Sequence, residues 1–374
     1  MTDKILIEQI AREYIEKLVL TSKPMRPKWN RENYIFRKQS KWNYMDSCMI
    51  RALMMYGDND YIDYAVKFTD SYVNEDGSIP TMNVLDYNLD NICGGINLIN
   101  LYNVTGAERY RLAYERIYIE QLIDHPRLKC GSFWHKAIYP NQMWLDGAYM
   151  VLPFMSMYGK IKNDKSIIND AISQMMNIRN IMRDRKTGLY YHGYNETKDM
   201  LWADEETGLS SQFWLRSNGW LCAGLADMYE ITENEEIGEM FREHIEALSQ
   251  CLTEENMLLQ LPVRKLLAGN YPETSGTLLY AYGAMKGYRL GTVDKSAAKS
   301  GEKALYAVTE KYIDRSGEIP VLRNICLMGG LGGANNRDGS AEYYLSERIV
   351  ENEAKGIAPY LMATAELIKA YTNP

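Results

Sequence analysis

Residues Tyr139–Met155 read YPNQMWLDGAYMVLPFM. From Met143 onward nearly every side chain is apolar, and Asp146 is the one charged side chain in the run. A helix that is apolar on all sides belongs in an interior, because no face of it is left for water. The next segment has a different pattern. Between Asn163 and Met182, Ile167, Ile168, Ala171, Ile172, Met175 and Ile178 fall on one face at helical spacing. Asp164, Lys165, Asp170 and Arg179 fall elsewhere, so this second helix has a wet side and belongs outside the first.

The same alternation of inner and outer helix recurs along the chain. Further apolar helices open with polar or aromatic residues at Trp42–Met49 (WNYMDSCM), Tyr87–Gly95 (YNLDNICGG), Ser210–Leu225 (SSQFWLRSNGWLCAGL), Tyr271–Met285 (YPETSGTLLYAYGAM) and Asn352–Leu367 (NEAKGIAPYLMATAEL). Five turns share one grammar, a polar turn with glycine or asparagine, acidic in all but the second, followed by an aliphatic or aromatic residue. They are VNEDGSIP, HPRLKCGSFW, MRDRKTGLYY, CLTEENMLLQ and YIDRSGEIPV. They recur roughly every 54 to 70 residues, room for a helix pair and a loop. Allowing for one N-terminal pair, the chain holds about six helical hairpins, or about twelve helices. Strand-like pieces such as GLYYHGY and GEIPVL are short and lie between helices. The fold class expected is all-α, an (α/α)6 barrel or toroid of six hairpins. No Pro- or Ser-rich linker divides the chain, so residues 1–374 are expected to form one domain. If the apolar helices form the inner ring, their polar openings share one mouth, and a pocket assembled from several repeats follows.

Composition narrows the function classes. A net charge of −7 with no dense basic run argues against a nucleic-acid partner. No stretch approaches the roughly 18 consecutive apolar residues of a membrane helix. The opening MTDKILIEQIAREYIEKLVL carries charges throughout, unlike a secretory signal. The cysteines (Cys48, Cys93, Cys130, Cys222, Cys251, Cys326) are scattered without a C-x-x-C pair, as expected of reduced thiols in a cytoplasmic protein. Four histidines without metal-ligand spacing make no case for zinc, so neither metal nor cofactor is expected.

Among candidate chemical groups, Asp146 stands out because a carboxylate is rarely placed in apolar surroundings without a partner. Poor solvation favours a carboxyl that holds its proton, as a general acid must. A helix cap or an arginine-paired aspartate would explain the same residue structurally. Asp90 in YNLDNICGGINLI occupies the matching place one repeat earlier, and two aspartates facing one cavity could serve as an acid and base pair. On its own, Asp90 reads more readily as an N-cap with a glycine-rich first turn. His135 and His192 sit in loops among aromatics, where a histidine could bond a sugar hydroxyl or tune a carboxylate. Arg216 and Trp220 lie four apart on one helical face with Gly219 between them. A forked grip on a carboxylate beside a flat surface for a sugar ring would use that pair, and so would a core tryptophan capped by an arginine.

Taken together, these segments resemble the unsaturated rhamnogalacturonyl hydrolases, glycoside hydrolase family 105. HKAIYPNQMWLDGAYM is the longest match. LDNI around Asp90, YYHGY around His192, ETGLS-x-x-FW-x-R-x-x-GW ending at Trp220, and KGIAPYLMA support it. The resemblance implies an enzyme that removes a 4,5-unsaturated uronic acid from the non-reducing end of lyase products by hydrating its vinyl ether. It implies Asp146 and Asp90 as catalytic groups, and Tyr44, His135, Trp144, Met150, His192, Arg216 and Trp220 as substrate-binding residues. The partner it implies is a small oligosaccharide, most simply a pectin fragment. The related unsaturated glucuronyl hydrolases of family 88 share the barrel and the paired aspartates and act on glycosaminoglycan fragments. Other barrel catalysts, such as an inverting glycosidase or a sugar epimerase, and a non-catalytic oligosaccharide-binding toroid are the rival readings.

Overall fold

A computed structural model describes residues 4–372. Its helices are α1 (Lys4–Tyr14), α2 (Arg31–Ile35), α3 (Tyr44–Met54), α4 (Asn59–Asp70), α5 (Gly95–Thr105), α6 (Glu108–Arg116), α7 (Gly147–Lys162), α8 (Lys165–Met182), α9 (Leu215–Thr232), α10 (Glu235–Gln250), α11 (Thr274–Arg289), α12 (Lys295–Tyr312), α13 (Ala341–Ser346) and α14 (Ala354–Thr372). Three two-stranded antiparallel ribbons lie in the connections: β1 (Gln142–Trp144) with β2 (Gly193–Asn195), β3 (Ile313–Asp314) with β4 (Val321–Leu322), and β5 (Ile325–Cys326) with β6 (Ile349–Val350). The remaining residues, 1–3 and 373–374, lie outside the described part of the expected 1–374 domain.

The expected (α/α)6 barrel is what forms. Helices α3, α5, α7, α9, α11 and α14 pack neighbour to neighbour into a closed inner ring, with α14 returning to α3. Nearly every residue of α7, α9 and α11 is buried, as their all-round apolar sequences require. The outer helices are amphipathic; in α8 the buried set is Ile167, Ala171, Gln174, Met175, Ile178 and Met182. Gly219 allows the close crossing of α9 and α11, since a Cβ there would stand 2.9 Å from Leu279 Cβ. The sixth pair differs from the expected N-terminal hairpin. Outer helix α1 packs on α14, so the first and last helices form that pair and close the ring. A single chain gains by this closure, because its two end helices bury each other's apolar faces.

Connections differ at the two ends of the barrel. Inner helices pass to outer ones through tight turns: Asn163, at positive φ, and the N-cap Asp164 are all that separates α7 from α8. The returns from outer to inner helices are long and carry the ribbons, α13 and most of the irregular chain. All long loops therefore gather where the inner helices begin. The GLYYHGY piece is a strand only from Gly193 onward, and GEIPVL only at Val321–Leu322.

Candidate active site

Each inner helix brings a polar or aromatic group to that mouth. Tyr44 opens α3, Asp90 lies in the 3-10 turn Leu89–Ile92 just ahead of α5, and Asp146 is the residue before α7. Arg216 is second in α9, Glu273 caps α11, and Lys355 is second in α14. Glu273 is saturated locally. Its carboxylate accepts from Ser275 N and Oγ, Gly276 N and Cys326 N, so it is a structural cap. Asp146 occupies the equivalent cap position in α7, yet its side chain makes no cap hydrogen bond.

The ribbon between β1 and β2 explains where the Asp146 side chain goes instead. Trp144 pairs with Gly193, and one step further Leu145 N donates to His192 O at 2.9 Å. Asp146 and His192 are thereby held side by side, with His192 Nε2 3.1 Å from Asp146 Oδ2. The other ring nitrogen, Nδ1, is 2.6 Å from the Tyr344 hydroxyl. The Asp146 side chain keeps 15% of its surface exposed, against 1% for His192. The aspartate is therefore the accessible member of the pair. The wholly apolar surroundings suggested by its sequence neighbours do not form around it.

A second pair stands beside the first. Leu89 N donates to His135 O at 3.1 Å, and His135 N to Gln142 O at 2.8 Å, tying the Asp90 turn to the loop ahead of β1. Lys136 Nζ reaches Asp90 Oδ2 at 2.6 Å, and His135 Nε2 stands 3.5 Å from Asp90 Oδ1. Burial alone would raise the Asp90 carboxyl, but the charge and hydrogen bond of Lys136 outweigh it and hold the group below its ordinary range. Burial pushes the His135 imidazole down to about 4, so it is neutral at pH 7. Trp144 links the two pairs. Its ring stacks on His135 at 4.7 Å and meets His192 edge-on at 5.6 Å. Tyr139 also stacks on Trp144, at 4.6 Å.

The remaining expected residues are placed less directly. Arg216 is 1% exposed, and Nη1 donates to Ser275 Oγ at 3.3 Å and to the carbonyl of Cys326. Its guanidinium lies 4.8 Å over Trp214, not over Trp220. The helical spacing of Arg216 and Trp220 thus does not make them one unit. Trp220 is 1% exposed and stacks on Tyr149 at 4.8 Å, with the half-buried Tyr44 edge-on at 6.4 Å. Met150 is also 1% exposed and belongs to the core beneath the mouth.

Three groups near the aspartates were not expected as site residues. Lys136 lies inside the quoted HKAIYPNQ run, and a lysine next to a loop histidine was the available signal. Lys355 lies inside KGIAPYLMA and is 1% exposed, bonded to Glu32 at 2.6 Å and Glu353 at 3.2 Å. Tyr344 sits in α13, outside the repeat grammar, and nothing in its spacing marks it.

Similarity to known proteins agrees with the helical barrel. Residues 15–371 match the family described as Glycosyl Hydrolase Family 88. The solved structure of a Clostridium acetobutylicum glycoside hydrolase from family 105 superposes with a TM-score of 0.88 at 32% identity, covering 99% of this chain and 100% of that one. Protein Atu3128 of Agrobacterium fabrum is 34% identical over 228 residues, 58% of this chain and 97% of its own length. The unsaturated rhamnogalacturonyl hydrolase YesR of Bacillus subtilis is 25% identical over 179 residues, 46% of this chain and 48% of its own. This chain belongs to glycosyl hydrolase family 88, shares the barrel of the family 105 enzymes, and is a glycoside hydrolase.

Proposed function

We propose that the enzyme releases a 4,5-unsaturated uronic acid from the non-reducing end of lyase-made oligosaccharides by hydrating the C4–C5 double bond. The observation that carries this reading is the unequal treatment of two neighbouring carboxyls. Asp90 is locked to Lys136 and kept ionised, so it is unsuited to donate a proton and suited to accept from substrate hydroxyls. Asp146 faces an imidazole, is partly open to the mouth, and is the carboxyl placed to exchange a proton. In this reaction Asp146 gives its proton to C4, leaving positive charge shared between C5 and the ring oxygen. Water adds at C5 and returns a proton to Asp146. The hemiketal formed opens without further help and expels the leaving sugar. Acid and base are one group here, so the carboxyl separations diagnostic of retaining or inverting glycosidases do not govern the outcome.

Lys136 and Lys355 are already matched by Asp90 and by Glu32 and Glu353, whereas Arg216 is bonded to a hydroxyl and a carbonyl, which leaves its charge for a uronate carboxylate. Arg216 is the residue we assign to grip it, with Tyr44, His135 and Trp144 shaping the walls. Similarity to an enzyme named for rhamnogalacturonan favours a pectin-type fragment with a rhamnose leaving group. The test is a panel of unsaturated disaccharides made by pectin and glycosaminoglycan lyases. Loss of the ultraviolet band of the conjugated double bond would be followed together with release of the leaving sugar. The rhamnose-ended disaccharide is expected to have the highest kcat/KM. A preference for the amino-sugar disaccharides would move the enzyme to the glucuronyl group. Sugar release without band loss would point to direct glycosidic cleavage.

A further inference from the structure

His192 is fully buried and bonded at both ring nitrogens. A neutral imidazole bonded at both positions donates from one nitrogen and accepts at the other. Whenever Asp146 is ionised it only accepts, and in that state Nε2 carries the hydrogen and Nδ1 accepts from Tyr344 O–H. Burial keeps the hydrogen on the Tyr344 oxygen, and His192 Nδ1 is the one acceptor bonded to that hydroxyl among the described residues, so turning the O–H away from Nδ1 would leave it buried without a partner.

Tyr344 is held for this task from several directions. Ser340 caps α13, with Tyr343 N donating to its Oγ at 3.1 Å. Gln260 Nε2 donates to Tyr344 O at 3.1 Å, and the Tyr344 ring stacks on Trp214 at 6.0 Å. Trp214 in turn lies 4.8 Å from the His192 ring.

We propose that Tyr344 is a positioning residue for the hydration, fixing His192 in its Nε2–H form so that Asp146 must carry its catalytic proton on Oδ1. The inference rests on the reading that Asp146 shuttles that proton. With Nε2–H pointing at Oδ2, a protonated Asp146 bears its hydrogen on the other oxygen, the one His192 leaves free. The proton leaves Oδ1 for C4 and the remaining charge is met at Oδ2 by Nε2–H. Oδ1 then takes the proton of the attacking water, restoring the starting state. Were His192 free to become the Nδ1–H form, Nε2 would accept from a proton on Oδ2 and draw it away from the substrate.

The test is nitrogen-15 NMR of histidine-labelled protein, with the His192 ring signals assigned by their loss in His192→Gln, alongside kinetics of Tyr344→Phe. The phenylalanine keeps the ring against Trp214, and Tyr343→Phe, whose hydroxyl accepts from Gly330 N, is the control expected to leave both readouts unchanged. In the wild type, Nδ1 is expected to show the unprotonated signature and Nε2 the protonated one. In Tyr344→Phe the two signals should average toward a tautomer mixture, and kcat should fall about 10- to 100-fold with KM within about twofold. A wild-type His192 protonated at Nδ1 would overturn the proposal without any variant. So would a Tyr344→Phe protein that keeps a single Nε2–H tautomer or wild-type kcat. If the wild type bleached no unsaturated sugar, the hydration reading would fail, while the nitrogen shifts would still decide whether Tyr344 locks the tautomer.

Discussion

Replacing Lys136 with methionine removes the Nζ that lies 2.6 Å from Asp90 Oδ2 and leaves most of the side-chain volume in place. The two side chains are 21% and 15% exposed, so the pair is largely but not fully withdrawn from water. An opposite charge at this range typically lowers a carboxyl by about 1 to 3 pH units, and each unit corresponds to about 1.4 kcal/mol. Exposure argues for the lower half of the resulting range, about 1 to 3 kcal/mol of stability at pH 7. The sign follows from the direction of the Asp90 shift. A carboxyl held below its ordinary value stabilises the fold above about pH 4, and loses that contribution as the pH falls through its folded value. Urea unfolding should therefore separate wild type from Lys136→Met at pH 7, and the gap should narrow below about pH 4. Activity gives a second readout. If Asp90 must be ionised to work, the acidic limb of kcat/KM should move to higher pH in the variant. His135 is not the source of that limb between pH 5 and 7, because it is already neutral there. A limb that stays in place would refute the role given to Asp90, and an unfolding gap independent of pH would refute the charge argument.

Other expectations follow from the same structure. His244 is buried and pushed down to about 4, with Nε2 2.9 Å from Asn218 O. Its contribution is complete above about pH 6.5 and is lost as the pH falls toward 4, on the order of 3 kcal/mol. His244→Gln should flatten the fall in stability across that window, and an unchanged slope in urea titrations would contradict this. At the end of the barrel away from the mouth, beside a cavity of about 430 Å³, buried Asp227 holds Arg51 at 2.7 Å and Lys286 at 2.6 Å. Asp227→Asn takes the carboxylate from Arg51 and leaves Lys286 with Glu230 at 2.7 Å, and should cost about 3 kcal/mol, with kcat of the folded fraction unchanged. A melting temperature equal to wild type would argue against that network. Met150→Leu, a volume-conserving change at a fully buried site, should cost less than about 1.5 kcal/mol and leave KM unaltered. A raised KM would return Met150 to the pocket wall.

The barrel was readable because burial leaves a periodic trace. Inner helices such as α7 are apolar all round, outer ones such as α8 have a wet face, and the turns recur at a near-constant interval. The closing pair of α1 and α14 was not readable, because its partners lie at opposite ends of the chain and no local pattern links them. At the site, Asp146 and Asp90 were visible as carboxyls in apolar or glycine-rich company. Their environments were not visible, because Lys136 and His192 act through a turn and a ribbon whose register the sequence does not display. Arg216 and Trp220 show what spacing alone leaves open. Helical spacing placed them on one face, but packing turned the guanidinium to Trp214 and gave Trp220 to Tyr149. Tyr344 left no trace, since a buried hydroxyl in an irregular connection has no periodicity to read.

The most direct test follows the ultraviolet band of the preferred unsaturated disaccharide with wild type and Asp146→Asn at equal folded concentration. Proton delivery by Asp146 predicts steady bleaching with the wild type and a rate at least about 100-fold lower with the asparagine. Equal bleaching by both proteins, or cleavage by the wild type with the band intact, would contradict it.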